Sequence, residues 1–431
     1  MYRKIMGFLE AWKENEHRKP LILQGARQVG KTYSILEFGR SHYENVAYFN
    51  FETNPKLNET FDENISPDYL IPILSHIAGQ TIVREKTLIV FDEVQLCERA
   101  LTSLKYFCED APGYHIAALG SLLGVAAGRK RFSFPVGKVD MKTLYPMDME
   151  EFMLAVGEDA LAGKIKECFE TDTPMPSALH DAAMQLYRQY LVVGGMPECV
   201  LQFAQTKDYI LVRHTQDTIL ASYLNDMSKY NSVSEIKKTR LAYDNITVQL
   251  SKKNTRFQYK LIKKGGRASE FENAIEWLCL SGIVSQVYKV EQIKKPLENY
   301  RDIDVFKIYV SDLGLLCAKK DLAANDVLYM VEELNDFKGG MAENYVNVQL
   351  TINGYKTYYW ESARGAEIDF VIQRDGQLIP IEVKSADNTR AKSLRVYMDT
   401  YKPAYAIKLS AKNFGLEDNK KTVPLYAAFC I

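Results

Sequence analysis

Short apolar runs alternate with helical periodicities along the first third of the chain. Pro20-Leu21-Ile22-Leu23-Gln24 is an apolar run of strand length. Residues 33–43 follow with Ile35, Leu36, Phe38 and Gly39 at helical spacing. The strand pattern returns at 46–51, 87–91, 114–119 and 139–144, with helical stretches at 67–78 and 99–110 between. Residues 1–18 predict an amphipathic helix with Ile5, Phe8, Leu9 and Trp12 on one face. Alternating strands and helices predict a parallel, doubly wound sheet with both faces covered.

The pattern changes after Pro146. Residues 147–156, 179–193 and 208–230 read as helices, and 157–177 reads as a polar loop around Thr173-Pro174-Met175-Pro176. Gly194-Gly195-Met196-Pro197 stops the second of these helices. Further helices end at 269–280, and two alternating strands follow at 283–288 and 306–310, with Lys294-Lys295-Pro296 between them. That order suits a winged helix. A last region carries a helix near 340–346 and a hairpin turn at Asp375-Gly376.

A chain of 431 residues predicts two to four domains. With 47% hydrophobic and 25% charged residues it is an ordinary globular composition. The net charge of −1 gives no global field, so a nucleic-acid partner would need a local basic patch. The seven cysteines include no C-x-x-C pair, which suits free thiols in a reducing cytoplasm. The N-terminus lacks a signal pattern and no apolar run approaches a bilayer span, so no membrane role is expected.

Chemistry enters at Gly25-Ala26-Arg27-Gln28-Val29-Gly30-Lys31-Thr32. Its G-x-x-x-x-G-K-T spacing, between a strand and a helix, is that of a phosphate-binding loop. Glycines let the backbone wrap a phosphate chain, and N–H groups at the helix start face the anion. Lys31 would reach the β- and γ-phosphates of ATP, and Thr32 would hold Mg²⁺. The bland alternative is a Gly-Lys turn opening an ordinary helix. The run Leu88-Ile89-Val90-Phe91 ends in Asp92 and Glu93, at the strand end where such sheets bind ligands. Asp92 would orient Mg²⁺ and Glu93 would polarise the attacking water. Two surface acids after a core strand are the alternative.

Ser121, just past a later strand, would serve either as a γ-phosphate sensor or as a helix N-cap. Arg129-Lys130-Arg131 would supply an arginine finger or form a solvated loop. Residues 252–267 hold Lys252, Lys253, Arg256, Lys260, Lys263, Lys264 and Arg267 with no acid, interleaved with Phe257 and Tyr259. They suit phosphate-backbone contact or a solvated basic face.

Near the C-terminus, a turn at Asp375-Gly376 would set Asp369 opposite Glu382. Directly opposed side chains have Cβ atoms about 4.5–5.5 Å apart. Strand alternation puts Lys384 on the face of Glu382. Opposed carboxylates want a cation between them, and Mg²⁺ needs few protein ligands. A lysine beside the metal can stabilise or deprotonate an attacking water. Glu343, on the preceding helix, would add a third metal-binding carboxylate. The set resembles the PD-(D/E)xK nuclease superfamily, although Ile368 stands where its motif has Pro. A surface hairpin of mixed charge, or a nuclease-like fold used only for binding, are the alternatives.

The order of parts resembles a family of bacterial and archaeal ATPases that join an AAA-type domain to a C-terminal domain of unknown function with a nuclease-like end. The resemblance rests on Gly25 to Thr32, Leu88 to Glu93, Gly120-Ser121, Leu144-Tyr145-Pro146-Met147, Gly194-Gly195-Met196-Pro197, Ser311-Asp312-Leu313-Gly314-Leu315 and Glu367 to Lys384. Together with the pattern read above it predicts an α/β multidomain chain: a P-loop parallel sheet of AAA type at 1–155, a helical linker or lid at 156–232, a winged-helix-like part at 233–318, and a restriction-endonuclease-like domain at 330–431. It further implies ATP binding and hydrolysis; the residue sets of the two carboxylate sites add the expectation that Mg²⁺-dependent hydrolysis is coupled to engagement of DNA or RNA, or to its cleavage at the C-terminal site. An ATP-switched binding module with a silent C-terminal domain is the second expectation. Oligomeric state is left open.

Overall fold

A computed structural model describes residues 1–121, 134–230, 233–250, 256–385 and 392–431. The chain divides into two compact units, one of Tyr2–Tyr145 with Leu280–Gly282, the other of Pro146–Cys279 and Ile283–Ile431 with Met1. The division falls at Tyr145/Pro146, ten residues ahead of the boundary expected at 155.

The first unit is built on five strands: β1 (Leu21–Gln24), β2 (Asn45–Asn50), β3 (Thr87–Asp92), β4 (His115–Gly120) and β5 (Asp140–Thr143). They lie in the order β2-β3-β4-β1-β5, and every pairing is parallel. All residues of β3 and β4 are buried, as the uninterrupted apolar runs require. The helix Pro67–Ala78 and the helix Glu98–Asp110 cover the sheet through Leu70, Leu74, Leu101, Leu104 and Phe107. Four phenylalanines, Phe49, Phe51, Phe61 and Phe91, pack edge-on or tilted in that core. His115 is buried at the start of β4, with Tyr43 Oη 2.7 Å from its Nδ1.

The second unit joins helices to an eight-stranded mixed sheet. Its strands are β6 (Val284–Val290), β7 (Arg301–Val310), β8 (Tyr358–Glu361), β9 (Glu367–Arg374), β10 (Gln377–Val383), β11 (Ala406–Ser410), β12 (Gly415–Glu417) and β13 (Lys420–Pro424). The order is β12-β13-β11-β10-β9-β8-β6-β7. The β6–β7 hairpin, expected as the wing of a winged helix, instead continues this sheet, because β6 pairs in parallel with β8. The polar stretch read as a loop contains the helix Asp159–Thr171, whose Leu161, Ala162, Ile165, Cys168 and Phe169 face the interior.

Two segments without derivable chemistry find each other here. Asp312 caps the helix Leu313–Lys319 by accepting from Leu315 N–H at 2.8 Å. The same carboxylate accepts from Gly195 N–H at 2.6 Å. Gly194 has φ +75°, and a Cβ there would collide with the Asp312 carboxylate. Burial pushes the Asp312 carboxyl up to about 6, against the pull of the Leu315, Gly195, Gly314 and Met196 N–H groups. Gly-Gly-Met-Pro and Ser-Asp-Leu-Gly are the two halves of one latch.

The latch predicts that Asp312→Ala lowers stability by about 2–4 kcal/mol, since each buried N–H left without an acceptor costs about 1–3 kcal/mol. Denaturant unfolding of the variant measures it. A pH effect arises in the first unit, where burial depresses His115 from 6.5 to about 4. Its folded pKa lies below its unfolded one, so its contribution to stability is complete above pH 6.5 and is lost as pH falls toward 4. Thermal melts of the parent and His115→Gln across that window should converge at the acid end.

Candidate functional site

The phosphate loop leaves the carboxyl end of β1. Gly25 has φ +150°, Gln28 φ +65° and Gly30 φ +89°. A Cβ at Gly25 would strike the Leu144 carbonyl oxygen, so the first glycine is required by close backbone packing. Arg3 ties the loop from behind, donating to Val29 O at 2.9 Å and to Tyr145 O at 2.8 Å. Ala26 and Val29 are buried, and Arg27 is partly exposed. The helix Lys31–His42 starts directly at Lys31. Lys31 Nζ donates to Gly25 O at 3.0 Å and to Ala26 O at 2.8 Å, holding its charge against the loop backbone.

The strand order brings the acids to this loop. β4 separates β1 from β3, and all three point the same way, so Gly25 to Thr32, Asp92, Glu93 and Ser121 gather at one edge of the sheet. Thr32 Oγ1 donates to Asp92 Oδ2 at 2.9 Å. Glu93 N–H donates to Asp92 Oδ1 at 2.9 Å. Glu93 takes φ +53°, which turns its side chain out of the strand alternation. Burial raises its carboxyl, a bond from Gln95 lowers it, and Asp92 raises it again. Ser121 is buried just past β4. Arg129-Lys130-Arg131 lie outside the described residues.

Sequence reasoning missed Tyr48 and Gln95. Tyr48 Oη donates to Asp92 Oδ2 at 2.7 Å from the edge strand β2, and Asn50 donates to Tyr48 Oη at 3.1 Å. Burial pushes the Tyr48 hydroxyl up to about 12, so it remains a donor. The alternation of β2 carried the signal, since Tyr48 and Asn50 share a face.

In the second unit the hairpin turns at Asp375-Gly376 as the sequence requires, with φ +49° and +72°. The ladder runs from Arg374↔Gln377 to Phe370↔Ile381 and stops one pair short of Asp369 and Glu382. There the Asp369 carboxylate accepts from Val383 N–H at 2.7 Å instead. Asp369 and Glu382 are 8% and 3% exposed, and Lys384 Nζ lies 2.5 Å from Glu382 Oε1. Glu382 Oε2 is buried without a hydrogen-bond partner among the described residues. Burial drives the Asp369 carboxyl well above the usual range; Glu343 and Glu382 add to this, while Lys307 and Lys384 oppose it.

Glu343, on the helix Asn335–Ile352, raises both carboxyls of that pair by its charge, while its own hydrogen bond and ion pair run to β7. Its Oε2 accepts from Tyr309 at 3.0 Å and faces Lys307 Nζ at 3.4 Å. Among the described residues no group of three or more His, Cys, Asp or Glu side chains is placed to hold a metal ion. A cavity of about 280 Å³ adjoins Lys307, Tyr309 and Glu343, with Arg256, Gln249 and Ser385 also in its wall. In the basic stretch, Arg256, Lys260, Lys263, Lys264 and Arg267 are exposed, and Lys252 and Lys253 lie outside the described residues. Its aromatics are half-buried: Phe257 stacks on Phe306 at 5.7 Å and Tyr259 meets that ring edge-on at 6.3 Å.

The parallel sheet, the loop and the acids at its edge define a P-loop ATPase. The comparisons agree: residues 17–153 match the model of an AAA domain. Residues 184–326 and 338–428 match two domains of unknown function, DUF8612 and DUF4143. No curated protein sequence matches the chain. Among solved structures, the Walker-type ATPase PABY2304 of Pyrococcus abyssi is 13% identical, covering 74% of this chain and 95% of its own, with a TM-score of 0.46. The Aeropyrum pernix ORC2 protein is 12% identical over 77% of this chain and 94% of its own, with a TM-score of 0.33. Thermotoga maritima RuvB is 16% identical over 65% and 87%, with a TM-score of 0.30. None of these scores reaches 0.5, and none bears on the function. No helix among the described residues is long and apolar enough to cross a membrane.

The collision expected at Gly25 predicts that Gly25→Ala weakens nucleotide binding at least tenfold. Titration with a fluorescent ATP analogue reads this directly.

Proposed function

We propose that ATP hydrolysis in the first unit drives engagement of nucleic acid by the second, with metal-dependent phosphodiester cleavage at Asp369, Glu382 and Lys384. The observation that carries the first half is the Thr32–Asp92 hydrogen bond, which puts a hydroxyl and a carboxylate together beside the phosphate loop. That donor set fits Mg²⁺, which neutralises phosphate oxygens when bound. Lys31 would leave the Gly25 and Ala26 carbonyls for the β- and γ-phosphates. Glu93 would orient the lytic water, and Ser121 would touch the γ-phosphate. The backbone of Gly25 to Thr32 would wrap the phosphates.

The second half rests on the pairing of two buried carboxylates with Lys384. The partnerless Glu382 Oε2, beside Asp369, suits a divalent cation that completes its shell with water and phosphate oxygens. Such an ion would polarise the phosphodiester, while the Lys384 ammonium, ion-paired to Glu382, would stabilise the negative charge that builds on the attacking water. The exposed cations between Arg256 and Arg267 would meet the phosphate backbone of DNA or RNA. Seven free thiols support a reducing, cytoplasmic setting.

A second reading has an observation of its own. Glu343 is already engaged by Lys307 and Tyr309, so the acid set is smaller than the sequence implied. An ATP-switched binding module would need no more.

Glu93→Gln should cut ATP turnover at least a hundredfold while nucleotide still binds; phosphate release equal to the parent would remove Glu93 as the base. On the second site, parent protein with Mg²⁺ or Mn²⁺ should cleave DNA or RNA, and Lys384→Ala should lose that cleavage. Uncut substrate of every form with the parent would favour the binding module.

A further inference from the structure

The acids of the second sheet fall into two sets, and a lysine that sequence reasoning passed over divides them. Lys307, from β7, is only 2% exposed. Its Nζ is 2.6 Å from Glu367 Oε1, 3.4 Å from Glu343 Oε2 and 5.1 Å from the centre of the Tyr359 ring. Tyr309, two residues on and on the same face of β7, closes the arrangement through its bond to Glu343. Glu343 comes from the helix Asn335–Ile352 and Glu367 from β9, so three separate elements converge on one ammonium. The other set is Asp369 and Glu382, served by Lys384 and still holding the partnerless Glu382 Oε2.

A buried ammonium is costly unless it is paired, and so are two buried carboxylates. Each need answers the other here. Burial alone would lower the affinity of Lys307 for its proton, but Glu343, Tyr309, Glu367 and Asp369 reverse this and hold it well above the usual lysine range. A covalently tethered ammonium between Glu343 and Glu367 occupies the position a second mobile cation would need and cancels one of their two charges.

We propose that Lys307 takes the place of a second divalent cation, so that the C-terminal site holds one metal ion, on Asp369 and Glu382, and Glu343 is an anchor for Lys307 rather than a metal ligand. This rests on the reading of Asp369 and Glu382 as a cation site. It assigns separate work to the two lysines: Lys384 faces the metal side, whereas Lys307 fixes the acid side in charge and position. The cavity of about 280 Å³ borders Lys307, Tyr309 and Glu343, so this anchored wall forms part of the surface that a phosphodiester would meet.

Metal counting tests it without any cleavage assay. Full-length protein carrying Thr32→Ala, free of nucleotide, is titrated with Mn²⁺ and the bound ions are counted by electron paramagnetic resonance. One ion is expected, and Asp369→Asn should weaken it more than tenfold. Glu343→Gln should leave both count and affinity within threefold, because Lys307 keeps its bond to Glu367. Lys307→Met should add a second ion. A tenfold loss of affinity in Glu343→Gln would make Glu343 a ligand and overturn the proposal, as would a folded Lys307→Met protein that still binds one ion. Should Lys307→Met fail to fold, the Glu343→Gln result decides alone. If Asp369→Asn leaves Mn²⁺ binding unchanged, the underlying reading of that pair fails as well, and this outcome is separable from the others.

Discussion

The bond from Thr32 to the Asp92 carboxylate joins two loops that leave different strands, and here it depends on β1 and β3 running parallel with one strand between them. That requirement reaches far into the first unit. It needs β4 inserted at full burial, which is why Ile116, Ala117, Ala118 and Leu119 carry no polar side chain. It needs the phosphate loop to pass against Leu144, which leaves Gly25 no room for a side chain. It also exposes Asp92 to a donor from the far side, and Tyr48 on β2 supplies one. With both of its oxygens engaged, the carboxylate is held in place before any nucleotide arrives.

Much of this was legible because local pattern and motif coincided. Helix 67–78 begins at a proline in its first turn and was readable to the residue. The hairpin at Asp375-Gly376 was equally legible, since two left-handed residues in sequence leave the register little freedom. The strand order was not legible, because crossover packing sets it and no single segment records it. Helix 159–171 was hidden by its own surface: Asp159, Lys164, Lys166, Glu167 and Glu170 equal its apolar stripe in number and read as loop. The ladder ending one pair short of Asp369 is a subtler miss. A carboxylate beside a free backbone N–H will take it, and Asp369 takes that of Val383 in place of a directly opposed neighbour.

The wing illustrates how alternation can mislead. In Phe306-Lys307-Ile308-Tyr309 the polar positions look like a solvent face, as they would on a winged helix. Pairing of β6 with β8 makes the hairpin part of a larger sheet, and the supposed solvent face turns onto Glu343 and Glu367. A sequence shows which residues share a face; it does not show what that face meets. Asp312 makes the same point, because the carboxylate that caps its own helix also accepts from Gly195 over a hundred residues away, and neither role could be read from the sequence.

Charge burial in the second unit follows one rule. Asp312, Lys307, Asp369 and Glu382 are all nearly inaccessible, yet each is treated differently. Asp312 is compensated by backbone N–H groups, which cannot leave, and so it acts as a structural latch. Lys307 is compensated by two carboxylates and an aromatic face, which also stay. Asp369 and Glu382 are compensated only in part, by one N–H group and one lysine, with an oxygen left over. Incomplete compensation is expensive in a low-dielectric interior. A unit that compensates Asp312 and Lys307 in place, and leaves this pair short, keeps the deficit where a mobile ligand can make it good, which is the physical reason to seek the chemistry of the C-terminal unit between β9 and β10.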